Sequence, residues 1–237
     1  PETVSTDFDT SNRLYFEPIN IECVTEVLLR EQAHGILLQF GGQTAINLAL
    51  PLDERIPTLG ELGLHTRIFG TSSQAVDEAS DRERFAEFAS AAGLRIPNGA
   101  TGKTSDDVRR AAAKIGFPIL IRPSYVLGGR GMEILTNEQQ LSAYLAEAYI
   151  APNKPLLVDE YLGHATELDV DAVSDGEQVL VGAIMEHLEE AGIHSGDSTC
   201  FIPPQNISKQ MLTQVRKQTE IIGLGLKIVG CFNIQFA

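Results

Sequence analysis

The run Ile121-Arg122-Pro123-Ser124-Tyr125-Val126-Leu127-Gly128-Gly129-Arg130-Gly131-Met132 sets three glycines between two arginines. Gly128, Gly129 and Gly131 tolerate positive φ and let backbone N–H groups close on an anion, while Arg122 and Arg130 bracket the turn with charge. A triphosphate is the ligand that such a loop suits. No Gly-Lys-Ser/Thr opens a helix behind it, so it is not a Walker A loop, and strand-like sequence on both sides separates it from the dinucleotide fingerprint. On spacing alone, a plain glycine hairpin turn is the competing reading.

A second cluster, Met185-Glu186-His187-Leu188-Glu189-Glu190-Ala191-Gly192-Ile193-His194-Ser195-Gly196-Asp197-Ser198, fills one loop with small, polar and titratable groups. Its His, Ser and Asp are sequence neighbours without a nucleophile elbow, which argues against a hydrolase triad. His187 and His194 stand seven apart in a glycine-broken segment rather than at the i, i+4 spacing of a helical metal pair. A third group is the acidic edge formed by Asp159, Glu160, Glu167, Asp169 and Asp171, which reads equally as function or as a solvated strand face. Near the end of the chain Phe232, Ile234 and Phe236 alternate with Cys231, Asn233 and Gln235. That alternation turns the Gln235 amide away from the apolar face.

These residues need a frame. Residues 35–40 read as a strand running into Gly41-Gly42-Gln43-Thr44 and a helical INLAL, with a helix before it that puts Ile21, Val24, Val27 and Leu28 on one face, and RIFGT at 67–71 reads as the next strand. Residues 1–77 therefore look like a doubly wound α/β piece lacking its first strand. One amphipathic helix is expected over 77–92, ending at Gly93 and Pro97. A helix over about 105–115 follows, where Thr104 and Asp107 suit a capping box, then strands at 118–122 and 132–136, a helix at 138–149 and a strand at 156–162. The segment ELDVDAV alternates cleanly and turns at Asp175-Gly176 into QVLVGAIME, an antiparallel hairpin. A helix over 207–225 leads into the final strand.

The 237 residues carry a formal charge of −14 and 43% hydrophobic residues, with no apolar run long enough to span a bilayer. That charge disfavours nucleic acid or an anionic membrane as a partner. Cys23, Cys200 and Cys231 are scattered and odd in number, so neither a disulfide framework nor a zinc site is supported, and a reducing cytoplasmic setting fits. The chain begins at Pro1 with no signal-sequence profile, which suggests a piece of something longer.

The stretches Ser80-Asp81-Arg82-Glu83-Arg84-Phe85, RPSYVLGGRGMEI, ELDVDAV, IMEHLEEAGIHSGDS and the terminal NIQFA, together with PETVSTDFDTSNRLYFEP at the start, resemble the carbamoyl phosphate synthetase large subunit, an ATP-grasp enzyme. The resemblance covers essentially the whole chain and is strongest to the second, carbamoyl-phosphate-forming half. It implies an α/β fold, α+β in the lid. Residues 1–77 would be a pre-ATP-grasp domain, 78–166 the ATP-grasp lid subdomain, and 167–237 the start of the large subdomain.

By that resemblance Arg82 and Arg122 would contact ATP phosphates, with Gly128 and Gly129 in the phosphate loop. Glu160 and Leu162 would sit at the adenine hinge, Glu167 would take the ribose hydroxyls, and Gly192, Ile193, His194 and Ser195 would line the nucleotide pocket. Gln235 would help to hold Mg²⁺ or Mn²⁺ on the phosphates, with further ligands on a Glu-x-Asn-Pro-Arg strand beyond Ala237. The implied reaction is phosphoryl transfer from ATP to carbamate, without a covalent enzyme nucleophile, in arginine or pyrimidine biosynthesis. The implied partners are a glutamine amidotransferase small subunit and the other half of the large chain, and the isolated piece would turn over little ATP. Two rival readings are another ATP-grasp ligase, such as a biotin carboxylase-like enzyme, and a non-catalytic nucleotide-binding module.

Overall fold

The computed structural model describes residues 9, 11–123, 131–148, 150, 155–163, 165–189 and 198–237. Helix α1 (Ile21–Glu31) starts where Asn20 Oδ1 accepts the Cys23 N–H at 2.8 Å, and stops at Gln32 in a left-handed conformation. Strand β1 (Ile36–Leu37) leads through a tight turn at Gln39–Gly41 into α2 (Gly42–Ile46) and then α3 (Ala49–Glu61). The expected helical INLAL thus straddles a break, and the longer helix lies beyond it. Pro51 and Pro57 hide α3 from its periodicity. Pro51 sits in the first turn, where no N–H partner is needed, and Leu52 and Leu59 are buried on the inner face.

Strand β2 (Ile68–Phe69) pairs in parallel with β1, Ile36 opposite Ile68. The single helix expected over 77–92 is instead two, α4 (Ser73–Ser80) and α5 (Arg82–Ala91). Asp81 between them is extended, at φ −82° and ψ 122°, and its Oδ1 caps α5 by accepting the Arg84 N–H at 2.9 Å. An aspartate that can cap a new helix breaks a continuous apolar pattern without any glycine or proline.

Strand β3 (Gly99–Gly102) was invisible to pattern reading because it is Gly-Ala-Thr-Gly. Helix α6 (Ser105–Ile115) is capped as expected, Thr104 Oγ1 accepting from Asp107 N at 3.1 Å. Strands β4 (Ile119–Pro123) and β5 (Glu133–Leu135), helix α7 (Glu138–Glu147) and strand β6 (Leu156–Glu160) fall where the sequence places them. The four strands form an antiparallel sheet in the order β3-β6-β4-β5. Val108, Ala112, Ile119, Ile121, Leu141 and Val158 close its core at zero exposure, so the helices cover one face of the sheet.

The alternating segment is β7 (Leu168–Asp175), paired with β8 (Val179–His187); Asp175 Oδ1 braces the turn between them, accepting from Glu177 N and Gln178 N at 2.9 and 2.8 Å. A two-residue strand β9 (Cys200–Phe201), helix α8 (Lys209–Gly225) and strand β10 (Val229–Phe236) complete a second sheet, ordered β10-β7-β8-β9. Leu168, Val170 and Ile184 pack under it against Val215 of α8.

Two compact units result, and neither follows chain order. One takes the chain up to Phe88 with Val173–Leu180 and Glu220–Phe232; the other takes Ala89–Ala172, Val181–Thr219 and Asn233–Ala237. In the first, Leu28, Leu38, Leu52, Leu59 and Leu64 form the core. Thr71 Oγ1 donates to Val229 O and accepts from Val229 N, both at 3.1 Å, and also accepts from Gln39 Nε2 at 3.1 Å. Gly70 and Gly230, at φ 92° and 113°, leave room for the Gln39 amide: a Cβ on either would stand 2.4 or 2.7 Å from its Oε1. Among the described residues no helix is long and apolar enough to cross a membrane.

Candidate functional site

The polar face of the second sheet gathers what the alternation of β7 turns away from the core. Asp169 and His187 are both buried, and His187 Nε2 lies 3.1 Å from Asp169 Oδ2. A carboxylate has no proton to give, so Nε2 carries the one in this bond. The other ring nitrogen, Nδ1, stands 3.8 Å from Glu167 Oε2, and the His187 N–H donates to Glu167 O at 2.9 Å. Among the described residues, Glu167 Oε2 and Asp169 Oδ1 are buried without a hydrogen-bond partner. Two unsatisfied carboxylate oxygens beside one imidazole are costly for a fold to maintain, and they suit a site that receives hydroxyl donors.

Next to this cluster Glu186 is 3% exposed and wholly engaged. Its Oε2 accepts from Gln205 N at 2.6 Å and Asn206 N at 2.9 Å, and its Oε1 from Asn206 Nδ2 at 2.9 Å. Burial pushes this carboxyl up, but the hydrogen bonds outweigh it and hold the group below the usual carboxylate range. Glu189 is held below that range as well, first by the Ser198 hydroxyl at 2.7 Å and then by the Thr199 N–H at 2.6 Å. Glu186 thus ties β8 to Gln205 and Asn206, and Glu189 ties the residues just after β8 to Ser198 and Thr199.

On the sheet β3-β6-β4-β5, Arg122 leaves β4 half-exposed, its Nε 3.8 Å from Asp159 Oδ2 on β6. Arg122 pairs with Leu157 and Leu120 with Asp159, so the two charged side chains are diagonal neighbours on one face. Glu160 ends β6 with its Oε2 accepting from Asn98 Nδ2 at 2.8 Å and Asn98 N at 3.2 Å. Leu162 follows in the exit turn, its carbonyl accepting from Ala165 N at 3.4 Å. Gln235 stands on an exposed rung of β10 with Asn233, whose Nδ2 donates to Asp171 Oδ1 at 2.9 Å.

The structure therefore brings Glu167 together with Asp169 and His187, and places Arg122 over Asp159. Arg82 opens α5 in the other compact unit. Gly128, Gly129, Gly192, Ile193, His194 and Ser195 lie outside the described residues. Sequence reasoning weighed His187 only as half of a helical metal pair with His194, and gave Glu186 no role of its own. The available signal was the alternation of β7 itself, which commits any partner on the facing rung of β8 to the same polar face. Among the described residues no group of three His, Cys, Asp or Glu converges as a metal site. Gln235 offers one neutral oxygen, so a divalent cation would depend on phosphate oxygens and further ligands. Two open clefts among the described residues, one between β5 and α7 and one between α3 and α4, contain none of these residues.

Residues 81–237 match the family described as carbamoyl-phosphate synthase L chain, ATP binding domain, and residues 1–78 match the carbamoyl phosphate synthase preATP-grasp domain. The chain is 50% identical over its whole length to a carbamoyl phosphate synthase large chain from Methanoregula boonei, of which it spans 22%. It is 48% identical to the C-terminal section of such a chain from Aquifex aeolicus, spanning 43%. In fold it is similar to biotin carboxylase from Campylobacter jejuni, with TM-score 0.66 and 16% identity over 92% of this chain and 48% of that one. It also resembles the biotin carboxylase domain of 2-oxoglutarate carboxylase from Hydrogenobacter thermophilus, solved with MgADP and bicarbonate, with TM-score 0.67 and 18% identity over 94% of this chain and 50% of that one.

Proposed function

Because this chain belongs to the carbamoyl phosphate synthase large-chain family, a pre-ATP-grasp domain followed by an ATP-grasp domain, we propose that it forms the nucleotide site which phosphorylates carbamate. The observation that carries this reading is the whole-chain match, at about half identity, to large chains that include a C-terminal section. A carbamate oxygen attacks the γ-phosphorus of ATP and ADP leaves with the bridging oxygen. The protein's work is positioning and charge stabilisation. Arg122 and Arg82 are the phosphate contacts of this reading, and Gly128 and Gly129 are its phosphate-loop glycines. Glu160 and Leu162 meet the adenine, and Gly192, Ile193, His194 and Ser195 line the pocket.

Glu167 accepts the ribose hydroxyls, which would satisfy its buried Oε2. His187 is a positioning residue, holding the Asp169 carboxylate through Nε2 and the Glu167 main chain through its own backbone N–H. Mg²⁺ or Mn²⁺, when bound, neutralises phosphate charge, and Gln235 is the ligand that these residues contribute. The same reading makes the other half of the large chain and a glutamine amidotransferase subunit the physiological partners, in the cytoplasm, on a route to arginine or pyrimidines. It divides the chain into a pre-ATP-grasp domain at 1–77, a lid at 78–166 and the start of the large subdomain at 167–237.

The reaction run backwards provides the test. The intact large chain should make ATP from ADP and carbamoyl phosphate, and Arg122→Ala should slow this at least several-fold while sparing bicarbonate-dependent ATP cleavage. Loss of the bicarbonate step instead would assign this segment to the other half-reaction.

A further inference from the structure

Of the eight asparagines in the chain, at 12, 20, 47, 98, 137, 153, 206 and 233, Asn98 alone is followed by glycine. The step lies in an exposed segment immediately before β3, the terminal strand of its sheet. Glu160 N donates to Asn98 O at 2.8 Å, and Gly99 stands opposite Asp159. Bonded and non-bonded pairs alternate along an antiparallel ladder. With the Asn98–Glu160 rung bonded, Gly99 is a non-bonded rung, and its N–H points to the open edge of the sheet. Among the described residues that nitrogen has no ladder partner, and glycine carries no side chain of its own to shield it.

We propose that Asn98 is a self-modifying residue, deamidating through attack by the Gly99 backbone nitrogen. The Gly99 nitrogen forms a bond to Asn98 Cγ, the Cγ–Nδ2 bond breaks, and Nδ2 departs as ammonia with the proton that Gly99 gave up. Water then opens the five-membered imide at either carbonyl, leaving aspartate or isoaspartate. The sum is water in and ammonia out, with no oxidation or reduction. Every other asparagine is followed by Arg, Ile, Leu, Glu or Lys, whose side chains crowd the attacking nitrogen.

Glu160 acts as the brake and feels the consequence. Its Oε2 holds the departing amide at 2.8 Å, and that bond is released before Cγ turns toward Gly99. After conversion a carboxylate stands at position 98 against the Glu160 carboxylate, and a hydrogen bond has become a like-charge contact at the end of β6. Isoaspartate adds a methylene to the main chain and shifts β3 against β6. The inference rests on the Asn98–Glu160 geometry alone, so it stands or falls separately from the proposed reaction.

The test is to age the intact large chain in warm, mildly alkaline buffer and follow the tryptic peptide spanning residues 96–103. A one-dalton gain with isoaspartate is expected there, while the peptides holding the other seven asparagines of this segment stay unchanged. Gly99→Ala should slow the gain several-fold and Glu160→Ala should hasten it several-fold. Equal rates at all eight asparagines, measured without any variant, would overturn the proposal, as would a rate unaffected by Gly99→Ala in a folded protein. Asn98→Asp should raise amide exchange at Glu160, and unchanged exchange would remove the proposed effect on β6.

Discussion

His187 Nε2 and Asp169 Oδ2 meet at 3.1 Å with both side chains buried, which makes this the one buried acid–base contact among the described ion pairs. His187→Leu would leave a buried carboxylate that has lost its one donor among the described residues, at a cost of about 1–3 kcal/mol. His187→Gln keeps a donor within reach and should recover part of that. Chemical denaturation of both variants checks this, and equal stability of the leucine variant and the parent would show that the pair contributes nothing.

Arg122→Ala should weaken ATP binding with little loss of folding, since the side chain is half-exposed and its ion pair with Asp159 is long, at 3.8 Å. A charge-assisted phosphate contact corresponds to about 1.5–3 kcal/mol, roughly tenfold or more in Kd. Calorimetric titration with ATP decides it; unchanged affinity in a folded variant would remove Arg122 from the phosphate site.

Glu186 gives the acid limb of stability a specific origin. Its folded carboxyl binds a proton less readily than in the unfolded chain, so its contribution is present above the ordinary carboxylate range, about pH 4. That contribution fades as pH falls through the depressed folded value. Glu186→Gln should therefore flatten the loss of stability on acidification, measured as thermal midpoints across a pH series. A parallel downward offset at every pH would mean that the carboxylate charge is not what matters.

Gln235→Ala, made in the intact large chain, should raise the Mg²⁺ concentration needed for half-maximal ATP formation while leaving the Kd for ADP alone nearly unchanged. One neutral amide oxygen is a weak Mg²⁺ ligand, so a modest shift is expected. An unaltered metal requirement would take Gln235 out of the metal shell.

Much of this was legible from sequence where local and global preferences agree. Helix α6 carries its own cap at Thr104, and β7 shows strict alternation, so both fall at or near their expected bounds. Where they disagree the pattern misled. Asp81 splits one apolar run into two helices by offering a cap, and Pro57 sits inside α3 because Leu52 and Leu59 bury themselves fully. The site divided in the same way. The alternation of the ELDVDAV segment announced Glu167 and Asp169, whereas the role of His187 depends on which strand faces them. Spacing within one segment does not encode that.

The bond pair between Thr71 and Val229 joins residues separated by 158 positions. A ribosome emits Thr71 long before Val229 exists, so a newly made amino-terminal unit waits with the Gln39 amide, Thr71 and Gly70 still unmatched. Non-local closure of this kind slows folding and prolongs exposure of unpaired backbone. Chains stalled anywhere between the two residues would be natural clients for chaperones, and the order of synthesis, more than the order of domains, decides when this unit becomes whole.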